Sequence, residues 1–281
     1  MADSPRARAL AAELRAARKA RKLSQGQIAD QIGWSIAKVS RVETAKTGIT
    51  EADVSALLAV LRVKGKDREH LLKMARELDQ PAWWELHSGL PSQLRALIDA
   101  EQRATRITSV APTLIPGLLQ TRSYTRAVYE AAQLAAADVD AGIGIRQTRQ
   151  GILEKADPVG LIAFIDESVL SRPVGGNAVA GEQLRYLIKL SERPHITIRV
   201  LPLELGAHTG LDGNFSVFEL PRAQMTVHVE ARHAGVFLNE PADVAPFEKT
   251  LDRLAQVALN EKDSMRVVAR YAAEHEEASY V

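Results

Sequence analysis

Residues 24–43, SQGQIADQIGWSIAKVSRVE, carry the pattern of two short helices folded across a glycine turn. Ser24 followed three residues later by Gln27 is a capping-box spacing, in which side chains satisfy the first free amides of a helix. Ile28, Ala29 and Ile32 recur at helical spacing and give that helix one apolar face. Gly33 stands at its C-terminal edge, where a residue without Cβ takes up a left-handed conformation and stops the helix. Ser35 then suits the cap of a second helix, in which Val39 and Val42 point inward while Ile36, Ala37, Lys38 and Arg41 lie toward the other side. Such a pair is a helix-turn-helix.

Upstream, Ser4 and Pro5 fit the cap and first turn of a helix to about Arg21, with Leu10 and Leu14 on its inner face. Downstream, Thr50 and Asp53 repeat the capping arrangement before VSALLAVLRV. Lys66 to Leu78 gives a fifth helix, expected to connect two domains, with Leu71, Leu72, Met74, Ala75 and Leu78 available for packing. Asp79 to Trp84 breaks the helical pattern at Pro81 and sets two tryptophans side by side, which suits a domain seam.

With Leu23 ahead of it and the Ser-Arg-Val-Glu run at Ser40 to Glu43, the opening stretch resembles the XRE or Cro/repressor class of helix-turn-helix domains. The resemblance implies a second helix lying in the major groove of double-stranded DNA, with the first helix's N-terminus against phosphate. Ser35, Ile36, Ala37, Lys38 and Arg41 then form the DNA-facing set, the last four at base edges, and Gln25 and Lys46 become phosphate contacts. Arg41 suits guanine, because its planar fork can bond O6 and N7 together, while Ile36 and Ala37 suit thymine methyls. Glu43 also fits a structural role, closing the domain.

Charge agrees with this. Residues 1–48 hold ten Lys or Arg against four Asp or Glu, whereas the rest of the chain holds 26 against 31. A near-neutral total of +1 therefore conceals a basic head, with Arg15, Arg18, Lys19, Arg21 and Lys22 crowding the end of the first helix. A solvated cationic face would carry the same residues, so the charge counts only beside the helix-turn-helix pattern.

A chain of 281 residues, 46% hydrophobic, can hold a small DNA-binding module and one larger cored domain. The expected division is a helix-turn-helix domain over 1–65, a connecting helix and linker over 66–90, and a regulatory domain for a ligand or partner over 91–281. Cysteine is absent, which excludes disulfides and thiolate metal sites. Apolar runs are too short to cross a membrane and MADSPRARAL does not read as a secretory signal, so a cytoplasmic protein is expected.

The fold class expected is all-helical at the N-terminus followed by a mixed α/β sheet covered by helices. A long helix is read from Pro91 to Ser109, with Leu94, Leu97, Ile98, Glu101, Ala104 and Ile107 along one face. GLIAFI (160–165) is a continuous apolar run and ITIRVLP (196–202) is β-branched, and both read as strands. Gly181 to Leu190 is helical between them. FSVFEL (215–220) and MTVHVE (225–230) form a hairpin, Val236 and Phe237 add a short strand, and Val244 to Leu259 closes as an amphipathic helix. The Pro116-Gly117 pair within PTLIPGLLQTRSY (112–124) forces a turn before a fresh helix through Ala127 and Tyr129.

That PGLLQT segment, with Glu101 upstream and Arg146, Arg149, Gln150, Asp166-Glu167, His208 and Glu230 downstream, resembles the C-terminal domain of a large actinobacterial, loosely WhiJ-like regulator family. The resemblance spans nearly the whole chain. It implies a small co-encoded regulatory protein as partner; a C-terminal domain that dimerises or binds a small-molecule effector is expected beside that reading. His228 and Glu230 alternate on one strand, with His233, Glu167 and His208 as neighbours from which a metal or acid/base site can be drawn. The spacing matches no strong metal motif, and no nucleophile elbow, P-loop or HExxH pattern occurs. GGNAVAG (175–181) reads as a flexible loop ahead of a phosphate-binding one. No catalytic residue, metal or cofactor is expected. A sequence-specific regulator, homodimeric on a palindromic operator, is the function these features favour. The alternative is an enzyme-like C-terminal domain that the helix-turn-helix delivers or autoregulates.

Overall fold

The computed structural model describes residues 5–79, 90–221, 225–231 and 234–280. Contacts divide the chain into Met1–Asp99 and Ala100–Val281.

The first unit begins with five helices: α1 (Pro5–Ala20), α2 (Gln25–Ile32), α3 (Ile36–Glu43), α4 (Glu51–Val60) and α5 (Gly65–Asp79). Their ends are set by the residues the sequence marks. Ser24 Oγ accepts from the Gln27 amide at 3.1 Å, and Gln27 Oε1 accepts from the Ser24 amide at 2.8 Å. Gly33 stops α2 at φ 69°, Ser35 caps α3 through the Lys38 amide, and Thr50 and Asp53 cap α4 reciprocally. Leu10, Ile28, Val39, Val42, Leu58 and Leu71 meet in one core. The fifth helix, expected as a connector, supplies Leu71, Leu72, Ala75 and Leu78 to this core, because a bundle of short helices otherwise leaves one apolar face bare. The Trp83–Trp84 seam lies outside the described residues.

Helix α6 (Ser92–Arg103) straddles the division. The helix expected from Pro91 to Ser109 therefore ends early. Residues Arg106–Ala111 form strand β1, pairing in parallel with β2 (Gly160–Asp166) and antiparallel with β4 (Phe215–Glu219). Ile107 does follow Ala104 at helical spacing, but two strand neighbours give this segment complete ladders on both edges, and that outweighs the local periodicity. A turn of 3₁₀ helix at Gly117–Leu119 leads into α7 (Arg122–Ala131) and α8 (Ala136–Gln150). After β2 come α9 (Glu167–Ser171), α10 (Asn177–Ser191) and β3 (Ile196–Leu201). After β4 come β5 (Thr226–Ala231), β6 (Ala234–Leu238), α11 (Pro241–Val257) and α12 (Glu261–Ser279).

The six strands run in the order β3-β2-β1-β4-β5-β6, parallel over the first three and antiparallel over the rest. Helix α11 covers the face carrying Val110, Phe164, Phe215, Val217 and Val227, using Val244 and Leu254. The closing helix is α12, beyond the one expected, and it packs with α10 and β3. The outer edge of β3 is sealed: Ser264 Oγ accepts from the Val200 amide, and the Val200 carbonyl accepts from the Leu259 amide, both at 2.9 Å. Among the described residues no helix is long and apolar enough to cross a membrane.

Candidate nucleic-acid interface and polar centre

On the side of α3 away from Val39 and Val42, Ile36, Ala37 and Arg41 are exposed together, Ile36 with 58% of its surface open. An isoleucine so exposed on a short helix has no use in the core. Lys46, just beyond α3, is exposed too. The other expected contacts are differently placed. Ser35 spends its hydroxyl oxygen on the Lys38 amide. Lys38 turns aside, its Nζ 3.7 Å from the centroid of the Trp34 ring and 3.4 Å from Asp53 Oδ1. Gln25 Nε2 donates to Glu43 Oε2 at 2.9 Å.

Glu43 is the latch of this domain. It is buried, and Arg18 grips both of its oxygens at 2.6 and 2.8 Å while also donating to the Leu23 carbonyl. Burial disfavours its charge, but the hydrogen bonds from Arg18 and Gln25 prevail and hold the carboxyl below the usual glutamate range. One acid thus ties α1, α2 and α3 together, as the structural reading of Glu43 anticipates. Arg18 belongs to this latch, although its place in a run of cations suggested a phosphate partner. The local sequence carries no signal of the pairing, because the partners lie 25 residues apart.

In the second unit the PGLLQT segment is a buried turn without a regular ladder, so its backbone groups need side-chain partners. Three glutamines supply them. Gln120 Nε2 donates to the Ile115 carbonyl at 2.7 Å, and Gln150 Nε2 donates to the carbonyls of Gly117 and Gln120 at 3.0 and 2.8 Å. Gln183, almost wholly buried on α10, donates to the Leu119 carbonyl and accepts from the Thr121 amide. Gln120 lies in the PGLLQT segment and Gln150 in the downstream signature, whereas Gln183, 62 residues from Thr121, belongs to neither.

Around this turn part of the signature converges. Arg149 on α8 is buried and donates to both oxygens of Glu101 on α6, at 2.9 and 2.6 Å. Both groups act electrostatically on His228, and Glu230 does so more strongly. Burial still outweighs the acids and lowers the His228 pKa. The imidazole lies 4.6 Å, centroid to centroid, from the ring of Phe237. Register sets His228 beside Ser216, whose hydroxyl bonds that of Ser109 at 2.9 Å, so these three polar side chains share one face of β1, β4 and β5 with the buried Ile107 and Phe218, opposite the face covered by α11.

The other residues drawn near His228 in sequence lie elsewhere. Glu167 accepts from Arg270, Tyr271 and the Leu203 amide. His208 Nε2 pairs with Asp166 Oδ2 at 2.9 Å, and the Ser168 hydroxyl donates to Oδ1 of the same carboxylate, so imidazole and serine share one acid, each on its own oxygen, instead of meeting each other. His233 lies outside the described residues. Among the described residues no group of three or more His, Cys, Asp or Glu is placed to hold a metal ion. At GGNAVAG, Gly175 is required by close packing: a Cβ there would stand 2.8 Å from that of Ala127.

Residues 9–71 match the helix-turn-helix domain family, which marks a DNA-binding regulator. No curated protein and no solved structure matches the chain. Residues 94–270, well over half of the sequence and every part of the polar centre, match the domain of unknown function DUF5753, and the chain belongs to that family.

Proposed function

We propose that this protein is a sequence-specific transcription regulator of the XRE type, cytoplasmic, acting as a homodimer on a palindromic operator. The observation that carries the reading is the exposed face of α3, where Ile36, Ala37 and Arg41 stand clear on a helix capped by Ser35. One small module covers little DNA, so two copies on half-sites about one helical turn apart are needed for useful affinity. The DUF5753 domain tunes that affinity through a small-molecule effector or a small co-encoded protein, and carries out no catalysis.

The test is retention of fragmented genomic DNA by the purified chain at near-physiological salt, followed by sequencing, with Arg41→Ala alongside. An enriched palindrome whose preference relaxes in the variant supports the reading. Recovery of the same motif at the same strength by both proteins would move base recognition away from α3.

A further inference from the structure

Two arginines one turn apart on α8 face the polar centre, and they are treated unequally. Arg149 has a carboxylate, Glu101, on both arms of its fork. Arg146 has only a neutral acceptor, Gln120 Oε1, for one Nη1 hydrogen, and its Nε is buried with no acceptor at all among the described residues. Glu230 and Glu101 act on Arg146 through space, without a hydrogen bond to it. Its guanidinium carbon lies 4.8 Å from the centroid of the Tyr129 ring, so one face is spoken for. On another side stands Gly117, where an added Cβ would lie 3.5 Å from both Nε and Cζ. The turn thus brings backbone without a Cβ up to the guanidinium at Gly117.

A cation placed this way is costly. Burying a guanidinium without a paired carboxylate sacrifices hydration, and an unsatisfied N–H adds to that cost. The surroundings are nevertheless built to hold it, since Gln120 is itself fixed by the Ile115 carbonyl and by Thr125 Oγ1 at 3.1 Å. Burial accordingly lowers the Arg146 pKa, the tyrosine and the two acids opposing it.

We propose that Arg146 is the anchor of a binding site for a small organic carboxylate, whose oxygens occupy the Nε edge of the guanidinium beside Gly117 as Glu101 occupies the fork of Arg149. A carboxylate matches the planar fork with two parallel hydrogen bonds, which a monatomic anion cannot do. The site stands independently of what the N-terminal domain binds. Its use as the effector site of the regulator rests on the function proposed above.

The experiment follows the arginine Nε–H resonances of the full-length protein by NMR during titration with acetate, benzoate and succinate, at ionic strength held constant with chloride, and with inorganic phosphate in parallel. The expected result is a saturable shift of the Arg146 Nε–H signal with a carboxylate and none with chloride. Arg146→Gln removes the signal, and Gly117→Ala, whose methyl makes only ordinary contact, weakens binding about tenfold, equivalent to about 1.4 kcal/mol. Far-UV circular dichroism checks that both variants fold. If Arg146→Gln does not fold, Gly117→Ala decides alone. A signal unmoved by every carboxylate, a non-saturating drift shared with chloride, saturation by phosphate alone, or unchanged affinity in Gly117→Ala would each overturn the proposal. None of these readouts involves DNA, so the site and the regulator reading fail separately.

Discussion

At Glu43 a single carboxylate replaces what a larger domain would achieve with apolar area. Removing one partner of a buried pair strands the other's charge, so Glu43→Gln is expected to lower the stability of the N-terminal unit by about 3 kcal/mol in denaturant titration. The folded pKa is depressed, so the stabilisation is fully present above the unfolded glutamate value and is lost as pH falls through the lower, folded one. The wild-type unit should therefore lose stability on acidification below the usual carboxylate range, about pH 4, more steeply than the variant. On α3, Arg41→Ala should relax preference at one base position. Lys46→Ala should weaken all sequences alike and lower the salt slope by about one per site, measured by fluorescence anisotropy at several salt concentrations. Lys38, held on Trp34 and Asp53, differs from both, and its expected role at a base edge would require it to leave these partners.

Among the elements, those bounded by their own chemistry were legible in the sequence. Gly33, Ser24, Ser35 and Thr50 announce helix ends through local hydrogen bonding, and the continuous apolar run at β2 and the β-branched one at β3 announce buried strands. Strand β1 was not legible. Its sequence, RITSVA, continues a helical spacing and holds no breaker, and its identity is decided by Gly160–Ile165 and Phe215–Glu219, tens of residues away. The polar centre divides the same way: its members were recognisable one by one, but Gln183 and the inequality of Arg146 and Arg149 exist only once α8, α10 and the turn have met. Two element-scale outcomes follow. Gly33→Ala forces a Cβ into a left-handed conformation and should cost about 1 kcal/mol in thermal unfolding. Ser264→Ala strips the Val200 amide of its acceptor at the sheet edge and should cost about 1–3 kcal/mol.

For the molecule as a whole, a basic reading module is joined to an acidic remainder in a chain of almost no net charge. Homodimerisation on operator DNA is expected, and sedimentation equilibrium showing a monomer both free and bound would exclude it. The glutamine-stapled turn has a consequence for the time course of folding. Apart from the bond of Gln120 to the Ile115 carbonyl, its side-chain hydrogen bonds are lent by two helices that follow it in the chain, so its shape is completed only when α8 and α10 have docked. The segment that most distinguishes this sequence is thus one of the last to set. Gln183→Ala should leave the refolding rate of the second unit nearly unchanged and speed its unfolding, the signature of interactions absent from the transition state.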